Sequence, residues 1–239
     1  MTVLSIELIP DSNLRLTVNG HVYYFNPMTE DEKREQADAD AIFILEAGES
    51  SGESYELENG IRLFQKESSE IWCSQSFKRH LEQRIQDARA GRCRFPGEQE
   101  FYSSLAGKLH WLHPQHIIQQ EGHTLRLHEF TPEPLFPAQK SGILITVNEK
   151  NVLIANGSAS KTYSTDSAVP ELELLILDLN GPMEKAGTLA AFVRFLKPGK
   201  LLLKTHGFRK KLLAELLEEL KARAPETQVI RQKHLQLEL

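Results

Sequence analysis

The 239-residue chain has only two cysteines, Cys73 and Cys93, which form neither a disulfide framework nor a metal-ligand spacing. It has no apolar run of the roughly 18–20 residues that a membrane span needs. Its first residues lack the basic and apolar segments of a secretory signal peptide. The formal net charge of −5 argues against a uniformly basic, nucleic-acid-binding surface. We therefore expect a reduced, soluble, cytoplasmic protein with no nucleic-acid or membrane partner.

Alternating and apolar segments predict strands in the first third of the chain. Strands are predicted over 5–9, 14–18 and 21–25, and Asn19-Gly20 between the last two is a strong hairpin signal. The apolar run 41–45 is typical of a strand that is covered on both faces. With 40% hydrophobic and 26% charged residues, the chain can bury a sizeable core.

Small and acidic residues at 46–53 end that apolar strand. Ser50 and Glu53 have capping-box spacing, which predicts a helix from there towards Lys66. Further strands are predicted over 71–74, 124–130, 142–147, 151–155, 172–177, 201–204 and 235–239, and helices over 76–90, 98–108, 183–196 and 208–223. The two halves repeat one order of strands and helices, which predicts two mixed sheets with helices outside them.

Four segments resemble the metallo-β-lactamase superfamily, and most closely its compact branch of ascorbate-6-phosphate lactonase-like hydrolases. Residues 19–27 resemble the strand and Asp-Pro turn at the entry of that branch. Residues 39–45 resemble the strand that delivers the His-x-His-x-Asp-His loop of the family. Residues 142–155 resemble the hairpin that delivers a bridging aspartate, and 196–207 the strand that ends at the last metal histidine.

The resemblance implies an α+β fold, the metallo-β-lactamase-like four-layer αββα sandwich. It covers nearly the whole chain, so we expect a single domain over 1–239 with a helical insertion at about 75–108.

The metal-ligand motif of that superfamily is largely absent. Its first four positions hold Glu46, Gly48, Ser50 and Ser51. The bridging aspartate falls at Asn156 or Gly157, His128 stands three positions early for another histidine, and only His206 stands where the family places a ligand. Because zinc sites need three or four good ligands, the resemblance implies that no cofactor is held. The alternative is one weakly bound zinc or manganese on His206 and Glu46.

Each candidate residue also has a plain structural interpretation. His206 is a ligand, a general base or a cleft hydrogen-bonding group, or else a relic that caps a strand end. Glu46 and Glu49 form a carboxylate pair or a solvated turn. Ser50 and Ser51 present a nucleophile or oxyanion donors, although N-capping explains Ser50 without chemistry. The cleft candidates are therefore Glu46, Glu49, Ser50, Ser51, Asn156 and His206, and we expect Glu46, Asn156 and His206 to open on one cleft.

Two other sequence patterns are weaker evidence of a functional site. His110, His113 and His116 do not converge on one ion at helical spacing, so a solvated histidine-rich loop is favoured over a surface metal site in 110–128. Residues 156–162 end in Lys-Thr after an apolar strand but lack the glycines of a phosphate loop, and we reject that interpretation.

These observations predict a non-catalytic binding or regulatory protein. A metal-dependent hydrolase with a remodelled site is the alternative, and a purely structural subunit is a third class. The sequence identifies neither a small-molecule nor a protein partner, and it leaves open whether the protein forms a homo-oligomer.

Overall fold

The computed structural model describes residues 3–9, 13–28, 37–45, 51–93, 97–113, 116–130, 141–161, 163–164, 168–179, 185–204, 210–230 and 234–238. Its strands are β1 (Val3–Ile9), β2 (Asn13–Val18), β3 (His21–Phe25), β4 (Ala39–Ile44), β5 (Gln65–Cys73), β6 (Leu109–Trp111), β7 (Ile117–Gln120), β8 (His123–Glu129), β9 (Ser141–Val147), β10 (Lys150–Asn156), β11 (Leu174–Asp178), β12 (Lys200–Lys204), β13 (Gln228–Ile230) and β14 (His234–Glu238). Its α-helices are α1 (Ser51–Phe64), α2 (Gln75–Arg89), α3 (Glu98–Ser104), α4 (Ala186–Leu196) and α5 (Lys210–Arg223), and a 3-10 helix covers Gly157–Lys161.

Residues Asn13–His113 form a first compact unit, with strands in the order β2-β3-β4-β5-β6. The hairpin predicted at Asn19-Gly20 joins β2 to β3, and φ angles of 50° and 84° there suit a type I′ turn. Strands β3 to β6 are parallel, with α1 between β4 and β5 and with α2 and α3 between β5 and β6. Their carboxyl ends therefore lie at one edge.

Residues Met1–Ser12 and Pro114–Leu239 form a second compact unit. Its sheet has the order β13-β12-β11-β10-β9-β8-β7, antiparallel from β7 to β10 and parallel from β10 to β13. Strands β8, β10, β11 and β12 consequently run in one direction and end at one edge. The strand predicted at the chain end is present as β14, which pairs antiparallel with β1.

An apolar cluster fills one face of the second sheet. Four apolar residues of α4 are each at most 4% exposed and form the predicted stripe of Leu189, Phe192, Val193 and Leu196. It packs with Leu216 and Leu220 of α5 and with strand residues that include Leu153, Ala155, Leu175, Leu177 and Leu201. Burial of these side chains fixes which face of each strand is apolar.

Asn26 anchors the end of β4 in the first unit. Its backbone N–H donates to the Phe43 carbonyl at 2.8 Å, and its Oδ1 accepts from the Leu45 N–H at 2.7 Å. Helix α1 approaches closely beside it, because a Cβ on Gly60 would lie 2.0 Å from the carbonyl oxygen of Pro27. This segment is the one predicted to lead into the motif loop at 46–51.

Several short elements differ from the sequence expectation. Strands β6, β7 and β13 were not predicted, β5 begins at Gln65 rather than at 71, and the helix expected over 98–108 ends at Ser104. Strands of three or four residues depend on distant partners, which local periodicity does not encode. No helix among the described residues is long and apolar enough to cross a membrane.

Replacing Gly60 by Ala should destabilise the protein, because the added methyl group meets rigid backbone at Pro27. We expect a loss of about 2–3 kcal/mol in the free energy of unfolding, the upper range for overpacking. Gly187→Ala on α4 is the matched control, since its Cβ would make only ordinary contacts of 3.6 Å and longer. Urea unfolding compares the two variants, and equal stabilities would contradict the close approach of α1.

The two thiols should differ sharply in reactivity. Cys73 is fully buried, and burial raises its pKa to about 12, whereas Cys93 is half-buried. Because the thiolate is the nucleophile, Ellman's reagent should modify one thiol in the native protein and two after denaturation. Cys93→Ser should abolish the native signal and Cys73→Ser should leave it unchanged. Rapid native labelling of Cys73 would be inconsistent with its burial.

Candidate functional site

Three polar side chains end neighbouring parallel strands of the second unit. Asn156 of β10 lies opposite Asp178 of β11, which in turn lies opposite Lys204 of β12. Their residues are 1%, 2% and 0% exposed, respectively. We call this row of three the carboxyl edge of the second unit, and ligands in sheets of this kind commonly bind at such an edge.

Strand alternation places these three side chains on one face of the sheet. Their neighbours Ala155 and Leu177 belong to the apolar cluster under α4 and α5, and Leu203 packs against it. Because successive strand side chains point to opposite faces, Asn156, Asp178 and Lys204 point away from those helices.

A buried ion pair joins the two charged members of the row. Lys204 Nζ donates to Asp178 Oδ2 at 2.7 Å, and the two side chains are 1% and 3% exposed. Removing two charges from water is costly, so neither residue is stable in this place without the other. The backbone supports the pair, because the Leu179 N–H donates to the Lys204 carbonyl at 2.9 Å. The carboxyl edge is therefore a charge-balanced polar cluster.

Two further polar groups of the second unit are buried in largely apolar surroundings. His128 packs edge-on against Phe130, with ring centroids 5.0 Å apart. Burial, with a smaller contribution from Arg126, lowers the pKa of His128 and so favours the neutral ring. The Nε2 atom of His128 and the Oγ atom of Ser160 are buried, and neither has a hydrogen-bond partner among the described residues.

The predicted site residues are only partly described. Glu46, Glu49, Ser50 and His206 lie outside the described residues, so the expected common cleft remains a prediction. Ser51 is the first residue of α1, and Asn156 is the last residue of β10. Gly157 begins the 3-10 helix, which replaces the long helix that a phosphate loop would need.

The histidines of 110–128 differ in their surroundings, and only some of them match the solvated loop that the sequence favours. His110 lies in β6 and stacks on Trp72 at 4.6 Å, and His113 meets Trp111 edge-on at 4.7 Å. His123 and His128 are buried within β8. The expectation of a solvated loop was wrong for His123 and His128, which lie in a buried part of a paired strand, whereas His116 is exposed.

Sequence reasoning missed Asp178 and Lys204. Each is the charged residue that ends an apolar run, Leu174–Leu177 and Leu201–Leu203 respectively. Two such residues of opposite sign on neighbouring parallel strands are a signal for a buried pair, because an isolated buried charge is rarely tolerated.

The described residues of this edge do not fit a bound metal ion. No group of three or more His, Cys, Asp and Glu side chains within them could hold one. Asn156 offers a neutral amide rather than a carboxylate. The carboxylate of Asp178 is already held by an ammonium group, whose charge repels a second cation.

Comparison with known proteins identifies the fold. No protein-family model and no curated protein matches the chain. Among solved structures it is similar to Igni18, a metallo hydrolase from Ignicoccus hospitalis, at 11% identity, with 99% of each chain covered and a TM-score of 0.59. It is also similar to the metallo-β-lactamase fold protein YhfI from Bacillus subtilis, at 14% identity, with 99% of each chain covered and a TM-score of 0.58.

A third similar structure performs a different reaction. CmlA from Streptomyces venezuelae is a diiron β-hydroxylase, and it matches at 10% identity with a TM-score of 0.53, over 100% of this chain and 54% of its own. Likeness at such low identity shows the fold and leaves the reaction open. The chain has the metallo-β-lactamase fold, of the α+β class, as the sequence predicted.

Proposed function

We propose that this chain is a metallo-β-lactamase-fold protein that has lost most metal ligands and serves as a non-catalytic binding or regulatory protein in the cytoplasm. The ascorbate-6-phosphate lactonase-like branch is its proposed origin. Its binding site is at the carboxyl edge of the second unit.

The observation that carries the proposal is the buried pair of Lys204 and Asp178. Lys204 stands two positions before His206, the one residue that matches a family ligand position. A metal-dependent member would use this edge to gather carboxylates and imidazoles around a divalent cation. Here a lysine supplies the positive charge, at 2.7 Å from the only described carboxylate of the row.

The residue types at the motif positions support the same conclusion. Glycine and serine occupy three of the four positions in the first motif, and Asn156 or Gly157 replaces the bridging carboxylate. The remaining ligands are one imidazole, His206, and one carboxylate, Glu46. Two ligands leave most of the coordination sphere to water, so a metal held there would be bound weakly.

The competing candidate is a hydrolase with a remodelled site on His206 and Glu46. The similarity to a metallo hydrolase over 99% of both chains favours it. The two candidates differ in one measurable property, which is whether the chain holds a stoichiometric metal.

Protein purified without chelators should contain substoichiometric zinc and manganese by elemental analysis. Chelator should leave the melting temperature unchanged, because a weak ligand adds little to stability. We also expect no metal-dependent hydrolysis of phosphodiester, lactone or thioester substrates. His206→Ala is the comparison variant and should match the parent in metal content and stability. One equivalent of tightly bound metal, lost in His206→Ala, would contradict the proposal and favour the hydrolase alternative.

The buried pair should behave as a coupled unit in a double-mutant cycle. Lys204→Met and Asp178→Leu should each lower the free energy of unfolding by about 3–5 kcal/mol, because each leaves an uncompensated buried charge. The double variant should recover most of that loss. Lys221→Met, in the exposed pair of Lys221 and Glu218, is the control and should cost less than about 1 kcal/mol. Strictly additive losses at Lys204 and Asp178 would show that the two charges do not interact.

A further inference from the structure

A cluster of charged side chains lies between the three helices of the first unit. Glu58 of α1 accepts hydrogen bonds from His80 Nε2 of α2, at 2.6 Å, and from the hydroxyl of Tyr102 of α3. Arg84 donates to the Tyr102 hydroxyl and to Glu98, each at 3.0 Å. Both carboxylates and Arg84 therefore have partners within the cluster.

Arg62 has no ion-pair partner among the described residues. Its guanidinium lies over the ring of Phe101, 4.6 Å from the ring centroid, which holds the group in place. Its Nε is buried and has no acceptor among the described residues, and no ion pair to Arg62 occurs there. A fixed guanidinium without a carboxylate is suited to an oxyanion, which it can bind through two parallel hydrogen bonds.

Asn59 supplies a second donor one helical turn earlier. It is 4% exposed, and its Nδ2 is buried without an acceptor in the described part of the chain. Residues three apart lie on the same side of a helix, so Asn59 and Arg62 are neighbours on α1. Buried donors are almost always hydrogen-bonded. Asn59 Nδ2 and Arg62 Nε are two buried donors without an acceptor among the described residues, and we infer that a bound molecule supplies the acceptor.

Gln65 adds an acceptor at the same end of α1. Its Nε2 donates to Ser104 Oγ at 3.2 Å, while its Oε1 is buried without a donor among the described residues. Two orphaned donors and one orphaned acceptor match hydrogen phosphate, which accepts hydrogen bonds and also carries an O–H group. Sulfate at neutral pH has no such proton.

We propose that Arg62, Asn59 and Gln65 form a binding site for a phosphate group on the α1–α3 side of the first unit. The ligand is a small molecule with a terminal phosphate. The site is independent of the carboxyl edge of the second unit and does not rest on the function proposed above. The guanidinium charge is essential there, because the carboxyl end of a helix disfavours an anion.

Inorganic phosphate is the probe, titrated at constant ionic strength with chloride as the balancing anion and followed by 31P NMR. The parent protein should bind it saturably, and sulfate should bind at least tenfold more weakly. Arg62→Gln should weaken phosphate binding at least tenfold, and Arg62→Lys should recover only part of it, because an ammonium lacks the two-pronged geometry. Arg79→Gln removes the same charge from an exposed position of α2 and should bind as the parent does.

Asn59→Ala separates binding from folding. It should weaken phosphate binding several-fold without lowering the urea midpoint. The Nδ2 atom that is lost has no hydrogen-bond partner among the described residues, so its removal costs the folded protein no hydrogen bond there. A structural role for Asn59 would instead lower the midpoint. Absence of saturable binding to the parent, equal binding of sulfate, or unchanged binding by Arg62→Gln would each overturn the proposal.

Discussion

Charge neutrality inside a sheet is the constraint on which the second unit depends. Lys204 and Asp178 are both almost completely removed from water, and their mutual contact offsets part of the cost of that burial. The contact requires β11 and β12 to keep the register that sets these two residues side by side. It thereby fixes where both strands end, and hence where the segments that follow them begin.

The sheet pattern could be predicted because it rests on local signals. Asn19-Gly20 can adopt the two positive φ angles of a tight hairpin, and the stripe on α4 follows helical spacing. The strands of β6 and β7 gave no such signal. His110 is half-buried in β6 only because Trp72, 38 positions earlier in the chain, stacks on it. The sequence pattern shows only polar histidines there, whereas in the fold an aromatic side chain contacts His110.

The position of the strand end at Asn156 was predicted, whereas the charged pair beside it was not. The resemblance located strand ends such as Asn156 correctly, since strand order follows from the apolar runs. It did not reveal Asp178 and Lys204, because their pairing depends on two strands becoming neighbours. Each residue alone resembles an ordinary polar strand terminus in the sequence. Orphaned atoms such as Nδ2 of Asn59 are likewise invisible before the packing around them is known.

The positive charge at the carboxyl edge belongs to a lysine side chain, and this determines how the charge can be lost or exchanged. An ammonium group attached to the backbone at Lys204 cannot be removed by competition and cannot be exchanged for a different ion. Its position is encoded in the sequence and is established as soon as the chain has folded. The pair of Lys204 and Asp178 therefore forms without any ion taken up from solution.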